Sequence, residues 1–275
     1  MQSQAYGAKI IQIDGTFDDC LNIARKLTED DKTAYPVNSY NPKRIEGQKT
    51  ETLAIVEHLR QMPDWIITPG GNLGSTAAIH KAILDMYEWG WETKIPRIGV
   101  VNASSANTLE WLYNIQGIRW NNGDFNPDSI GELYTELGRE RARDGRVRTR
   151  TRMTAIDIHY PAPENLMKAL RGLEHTNGVV TSVTDEEAFE AKAIIDSNGL
   201  FMVDLASAAA LAGLRKLVRT GDVERGQLVA VRLTGRDKDP GLSAKYYNNP
   251  RKGHSNIPIQ LTNDVKAVKS AIYAN

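Results

Sequence analysis

Cysteine, net charge and long hydrophobic segments are all scarce in this chain of 275 residues. The single cysteine, Cys20, excludes an internal disulfide or a cysteine-rich metal site. We therefore expect a cytoplasmic protein in which Cys20 is a small core residue of a helix. Lys and Arg together number 34, as do Asp and Glu, and this balance argues against nucleic acid or an anionic membrane as a partner.

The sequence also has no pattern typical of a membrane span, a secretory signal or a metal site. The longest apolar segment, residues 205–214, is about half of the roughly 20 residues that a membrane helix needs. The first residues show no basic region followed by an apolar run, so no secretory signal is expected. The five histidines do not have the spacing of metal ligands, and we expect no metal.

Strand-like and helix-like segments alternate along the chain, which is typical of an α/β protein with a parallel sheet. Short apolar runs predict strands at residues 9–13, 34–38, 65–68, 97–101, 179–183 and 227–233. Amphipathic periodicity predicts helices at residues 17–27, 45–60, 75–89, 185–197 and 206–218. Because the first predicted strand has no element before it, we expect the chain to begin within a fold.

An arginine-rich segment has no assigned role. We interpret it as the exposed end of a helix followed by a loop or edge strand; the alternative is a patch for an anion or a partner subunit. Nucleic acid is the weakest option, because no aromatic residues are interleaved. The arginines are Arg139, Arg141, Arg143, Arg146, Arg148, Arg150 and Arg152.

Residues 65–76 join an apolar strand to a glycine-rich loop, T-P-G-G-N-L-G-S-T, at the start of a predicted helix. Glycines let the backbone approach an anion, and the free amides and positive end of the helix stabilise its charge. The loop fits neither common nucleotide-binding signature, so a purely structural turn is about as plausible as a phosphate site.

A second polar segment, N-S-Y-N-P-K-R-I-E-G-Q-K-T, covers residues 38–50. Asn38, Ser39 and Arg44 supply donors of the kind that a phosphate or carboxylate needs. Helix capping with ordinary surface charge explains the same residues equally well.

Together the two segments resemble threonine synthase, a pyridoxal-phosphate enzyme family with the tryptophan-synthase-β-like fold. The similarity also includes residues 7–20, 205–209, 233–235 and 238–240. It implies an α/β fold with a doubly wound sheet, incomplete at the N-terminus. Residues 1–40 would be the remainder of the smaller lobe and residues 41–275 the larger, cofactor-binding lobe. The implied reaction converts O-phosphohomoserine and water to threonine and phosphate.

The resemblance also implies roles for individual residues. The cofactor pyridoxal 5'-phosphate would be held at its phosphate by a cup of Gly71, Asn72, Leu73, Gly74 and Ser75. The Thr234 hydroxyl would meet the pyridine nitrogen, and Asn38, Ser39 and Arg44 would bind the substrate phosphate. Two details depart from the family: Ser75 stands where the cup usually ends in Asn, and the spacing from Thr234 to the Lys-Asp-Pro of residues 238–240 is one residue short.

The larger departure concerns the lysine that carries the cofactor in this family, in a Ser-Phe-Lys-Asp type motif upstream of the matched region. The chain has no such motif, and neither Lys49 nor Lys245 belongs to the corresponding segment. We therefore assign no catalytic residue. The alternative function is a non-catalytic or truncated fragment that needs an upstream polypeptide carrying the lysine. A dinucleotide-binding protein ranks low, because the acids after the loop do not follow a second strand.

Other residues carry weaker expectations. Asp204 is interpreted as a helix-initiating acid or as an acid behind the site. Trp89, Trp91 and Trp111 are expected to be core or interface anchors. A homodimer is compatible with the sequence, since homodimers are the commonest symmetric assemblies.

Overall fold

A parallel sheet organises the chain in the computed structural model, which describes residues 2–15, 17–30, 33–37, 41–124, 129–143, 151–199, 201–237, 239–261 and 264–273. Within these ranges the sheet has four strands in the order β3-β2-β1-β4. The strands are β1 (Trp65–Pro69), β2 (Arg97–Ala103), β3 (Val179–Val183) and β4 (Val229–Val231).

Helices connect the strands and cover the sheet. The α-helices of the described residues are α1 (Gln2–Ala5), α2 (Phe17–Asp30), α3 (Pro42–Leu59), α4 (Gly74–Glu88), α5 (Thr108–Glu110, continued by a π-helical turn over Trp111–Ile115), α6 (Ser129–Arg143), α7 (Pro163–His175), α8 (Asp185–Ser197), α9 (Leu205–Thr220), α10 (Pro240–Tyr247) and α11 (Val265–Tyr273). None of the helices that the structure describes combines the length and apolar character that crossing a lipid bilayer requires.

The sheet separates two hydrophobic layers, because successive strand residues point to opposite faces. On one face Ile67 and Val101 pack in a core that includes residues of α8 and α9. On the other face Ile66 and Val100 pack in a core that includes residues of α4 and α7. Every residue of β1 is buried, as expected of a strand covered by helices on both sides. The sheet is therefore doubly wound, as the family resemblance implied.

The strands predicted at residues 65–68, 97–101 and 179–183 are confirmed, and the one at 227–233 is shorter, at Val229–Val231. All five predicted helices are confirmed, with α3 beginning three residues earlier at Pro42. The strands predicted at residues 9–13 and 34–38 are wrong where described, since residues 8–13 and 34–37 have no regular structure; residue 38 lies outside the described part. An apolar pattern does not ensure that a neighbouring strand is present. A strand without a neighbour leaves its amides and carbonyls without partners.

Cys20 differs from expectation, and the three tryptophans expected as core or interface anchors divide between core and surface. Cys20 is exposed, because α2 buries none of its residues against the rest of the described chain. Trp111 is buried in the core, but Trp89 and Trp91 are exposed and contact each other edge to face, with ring centroids 4.9 Å apart. In the arginine-rich segment, Arg139 and Arg152 are exposed, and residues 144–150 lie outside the described part.

Close approach of α9 to the sheet depends on a glycine. A Cβ atom placed on Gly213 would overlap the side chain of Val101 in β2. In contrast, a Cβ on Gly47, in the exposed part of α3, would meet no atom within 4 Å. The two helical glycines therefore differ in packing while sharing the same intrinsic cost in a helix.

We predict that Gly213→Ala lowers the free energy of unfolding by about 2 kcal/mol, because α9 or Val101 must shift in a packed core. Gly47→Ala is the matched control and should raise it by up to about 1 kcal/mol through helix propensity. Guanidinium chloride unfolding followed by circular dichroism measures both changes. Equal effects of the two substitutions would contradict the packing of α9 on β2.

A histidine pair joins α4 to α7. His80 Nε2 lies 3.1 Å from His175 Nδ1, and Gly172 of α7 packs so closely that its Cβ would lie 3.0 Å from the His80 Cβ. Burial, reinforced by the charges of His175 and Arg171, lowers the pKa of His80 to about 4. Because a histidine of the unfolded chain has a pKa of about 6.5, the unfolded chain binds the proton more tightly than the folded chain between these two pKa values.

The contribution of His80 to the free energy of unfolding should therefore be constant above about pH 7 and fall by about 3 kcal/mol as the pH drops from about 6.5 to 4. His80→Gln should flatten this part of the profile, whereas His58→Gln, at an exposed position of α3, should preserve it. Urea unfolding at a series of pH values provides the measurement. A profile unchanged by the His80 substitution would exclude this source of acid sensitivity.

Candidate cofactor and anion site

A cavity of about 310 Å³ lies at the carboxyl end of the sheet, beyond β1 and β4. Open α/β sheets bind their ligands at this edge, and the volume is at the lower end of the roughly 300–1,000 Å³ typical of ligand sites. The lining residues come from the start of α2, from α3, from the end of β1 and the loop after it, from the segment at 155–158, from the start of α9 and from the residues after β4. They are Phe17, Arg44, Gln48, Glu51, Pro69, Gly71, Asn72, Leu73, Gly74, Ser75, Ala155, Ile156, Ile158, Ala206, Arg232 and Thr234.

The glycine-rich loop forms one wall of the cavity. A Cβ on Gly71 would lie 3.0 Å from the Cα of Ile156 and 3.1 Å from the carbonyl oxygen of Ala155, so the loop passes close to another backbone segment. The side-chain oxygen of Asn72 accepts a hydrogen bond from the Ala162 amide at 2.7 Å and joins the loop to the start of α7. The loop is held by contacts on both sides.

The start of α4 is open to an anion. Leu73 precedes the helix in the left-handed conformation, with φ 63° and ψ 6°, and its side chain does not cap the helix. The first amides of a helix have no partner within it, and here Gly74 and Ser75 border the cavity. Unpaired amides together with the positive end of the helix dipole make this position suitable for a phosphate.

Arg44 brings a positive charge to the same place. Asn41 caps α3 by accepting a hydrogen bond from the Lys43 amide at 2.8 Å, and the helix then turns Arg44 toward the cavity. The Arg44 guanidinium donates to Gln48 Oε1 at 3.0 Å, and a Cβ on Gly74 would lie 3.4 Å from its Nη1. Arg44 is therefore adjacent to the start of α4.

Thr234 lies where the chain leaves β4. Its hydroxyl is 3.1 Å from Ser207 Oγ, in the first turn of α9. Asp204 caps α9, and its Oδ1 accepts a hydrogen bond from the Ser207 amide at 2.6 Å. Asp204 thus initiates the helix and also supports the residue that contacts Thr234.

The structure brings most of the predicted site residues together. Residues 71–75, Thr234 and Arg44 all line the one cavity, although they are far apart in the sequence. Asn38 and Ser39 lie outside the described residues. Lys49 makes ion pairs with Glu46 and Asp85, each at 2.6 Å, and Lys245 is exposed. Among the described residues, no lysine lines the cavity.

Arg232 and Glu51 are cavity residues that the sequence analysis missed. Arg232 is buried and forms an ion pair with Glu51 of α3. Its Nη1 is also 3.4 Å from Thr68 Oγ1 at the end of β1. Burial lowers the pKa of Arg232 to about 10, so the side chain still carries its charge at neutral pH. The spacing in the sequence could have indicated that Arg232 lines the cavity. Arg232 and Thr234 are two residues apart, so on an extended chain they lie on the same face.

The fold and the site define the class of protein. Residues 1–235 match the family model described as a pyridoxal-phosphate dependent enzyme, and the chain belongs to this family. Its cofactor is pyridoxal 5'-phosphate.

Relatives of this chain include threonine synthases. The chain is 32% identical over 253 residues to threonine synthase of Methanocaldococcus jannaschii, covering 91% of this chain and 56% of that protein. It is 35% identical over 245 residues to threonine synthase of Mycobacterium tuberculosis, covering 89% of this chain and 59% of that protein. The chain thus spans less than two thirds of the length of these relatives.

Solved structures show the same fold. Threonine deaminase isoform 2 from Solanum lycopersicum matches with a TM-score of 0.61 and 16% identity, covering 88% of this chain and 60% of that one. Serine racemase from Dictyostelium discoideum matches with a TM-score of 0.57 and 16% identity, covering 86% and 64%. The fold is therefore the tryptophan-synthase-β-like fold that the sequence resemblance implied.

The residues present fit the cofactor of this family. The uncapped start of α4 offers amides to a phosphate, and a Cβ on Gly71 would press against the backbone of the segment that closes the loop. The Thr234 hydroxyl offers a hydrogen-bond partner to a ring nitrogen. An anion group and a heteroaromatic ring therefore each find a suitable partner in one cavity.

We predict that Arg44→Met weakens binding of inorganic phosphate about tenfold, because it removes a charge-assisted hydrogen bond beside the start of α4. Lys43→Met removes the same charge from the neighbouring exposed position, outside the cavity, and should leave the affinity unchanged. Isothermal titration calorimetry measures both affinities. If the two substitutions weaken binding equally, Arg44 contributes only a general electrostatic attraction.

Proposed function

We propose that the chain carries out threonine synthase-like chemistry in the cytoplasm, converting O-phosphohomoserine and water to threonine and phosphate with pyridoxal 5'-phosphate as cofactor. The names of the relatives support this reaction. The observation that carries the proposal is the position of Arg44 beside Gly74, which brings a second anion-binding group next to the loop. A substrate phosphate needs such a group in addition to the one that holds the cofactor.

Each cavity residue has a role in this proposal. Residues 71–75 and the start of α4 hold the cofactor phosphate, and the Thr234 hydroxyl, supported by Ser207, bonds to the ring nitrogen. When bound, the cofactor supplies an electron sink for a carbanion formed on an amino-acid substrate. Arg44, oriented by Gln48, binds the phosphate that leaves, together with Asn38 and Ser39.

The division into lobes is part of the same proposal. Residues 1–40 belong to a smaller lobe and residues 41–275 form the larger lobe. Two observations support this division: α2 buries none of its residues, whereas all four described strands lie between Trp65 and Val231.

We predict that Thr234→Val lowers cofactor affinity about fivefold, the value of one net hydrogen bond, while inorganic phosphate binds as before. Thr220→Val, at an exposed position at the end of α9, is the control. Absorbance titration with pyridoxal phosphate and calorimetry with phosphate give the two affinities. Loss of both together would show that Thr234 maintains the cavity and does not contact the ring.

The reaction is tested by incubating the purified chain with cofactor and O-phosphohomoserine and measuring phosphate and threonine. The proposal requires both products to appear in equal amounts and only with the cofactor present. Absence of both at saturating cofactor and substrate would refute it for this chain.

A second candidate is a chain that holds the cofactor without catalysis and is completed by another polypeptide carrying the lysine. The observation in its favour is that no lysine lines the cavity among the described residues. Borohydride reduction followed by peptide mass mapping separates the candidates. A stoichiometric adduct at one lysine of this chain would exclude the second candidate, and reversible cofactor binding without an adduct would support it.

A further inference from the structure

Arg232 is a charged residue in the wall of the cavity. It is only 5% exposed and lines the cavity with Thr234, and its guanidinium contacts two other residues. Nη2 contacts the Glu51 carboxylate, and Nη1 is 3.4 Å from the Thr68 hydroxyl. Nε has no hydrogen-bond partner among the described residues. A guanidinium has five N–H donors, so much of its donor capacity is available to a ligand.

The ion pair is not needed to hold β4 in place. The backbone amide of Arg232 already donates to the Ile67 carbonyl oxygen at 2.9 Å, which continues the pairing of β4 with β1. Burying a guanidinium is costly, and an apolar side chain often replaces a buried ion pair without loss of stability. A charged wall residue at this position is therefore better explained by what it binds.

The two partners differ in their access to water. The side chain of Arg232 is 4% exposed, whereas that of Glu51 is 53% exposed. Glu51 can therefore exchange Arg232 for water at little cost, but Arg232 cannot be hydrated without opening the wall. An incoming oxyanion that displaced Glu51 would itself pair with Arg232, and the released Glu51 carboxylate would be solvated.

One face of α3 presents this arrangement to the cavity. Arg44, Gln48 and Glu51 follow each other at intervals of four and three residues, so they lie along one side of the helix. Arg44 borders the start of α4, and Glu51 contacts Arg232. The cavity thus has a cation at each of two positions, and among the described residues only the second has a carboxylate on it.

We propose that Arg232 is a second anion-binding residue of the cavity and that Glu51 is its internal competitor. A carboxylate or phosphate group of the ligand replaces the Glu51 carboxylate on Arg232. This extends the proposed function, on which it rests, by selecting a ligand that carries two oxyanion groups. The pair is then a specificity-determining device that disfavours ligands with a single anionic group.

The number of inorganic phosphate ions bound tests this inference. By calorimetry, the unsubstituted chain should bind one phosphate tightly, between Arg44 and the start of α4. Glu51→Gln should bind a second phosphate at least about tenfold more tightly than the unsubstituted chain does, because Arg232 loses its competitor. Glu57→Gln, at an exposed position of the same helix, should bind phosphate as the unsubstituted chain does. A folded Glu51→Gln variant with no change in either affinity or number of phosphates would overturn the inference.

Further variants identify the residue and the ligand group. In the Glu51→Gln background, Arg232→Met should abolish the second phosphate and keep the first, whereas Arg44→Met should weaken the first and keep the second. Persistence of the second phosphate in a folded Arg232→Met variant would overturn the assignment. Competition by acetate for the second site assigns the ligand group as a carboxylate, and lack of competition assigns it as a phosphate.

The same data separate this inference from the proposed function. Cofactor binding and product formation test the function, and phosphate counting uses neither cofactor nor substrate. An inactive chain whose Glu51→Gln variant gains a phosphate refutes the reaction alone. An active chain without that gain refutes the role of Arg232 alone.

Discussion

Parallel pairing of β1 with β4 determines where the cavity residues lie. Ile67 pairs with Val231, so the loop that follows β1 and the residues that follow β4 leave the sheet at the same edge. Helix α4 begins five residues after the end of β1, and its first residues line the same cavity as Thr234, which follows β4. Without this register, the glycine-rich loop and the Thr234 hydroxyl would belong to separate surfaces.

The sequence predicted the fold well where segments are buried on both sides. The strands near Trp65, Arg97 and Val179 combine an apolar run with flanking helices, so burial and propensity favour the same structure. The predictions failed near Ile10, where the same apolar character occurs without a partner strand. The local sequence indicates the propensity of a segment to form a strand, but it does not show whether a neighbouring strand is present. A strand depends on that neighbour for its backbone hydrogen bonds.

The candidate site likewise has a part that the sequence indicated and a part that it did not. The loop at residues 71–75 is a local feature in which glycines, a turn and a helix start are contiguous, so the sequence indicated it directly. The pairing of Arg232 with Glu51 joins residues 181 positions apart and was not visible, because no local signal relates α3 to the end of β4. The approach of residues 155–158 to Gly71 was missed for the same reason.

Helix α3 is a rigid connection between the two cationic positions of the cavity. Arg44 and Glu51 are separated by about two turns of continuous helix, so a displacement of one end reaches the other. If ligand binding at one position moves α3, it changes the free energy of occupation of the other, and this coupling has the same magnitude in both directions. A cofactor seated at the start of α4 and a ligand on Arg232 would in that case each report thermodynamically on the presence of the other.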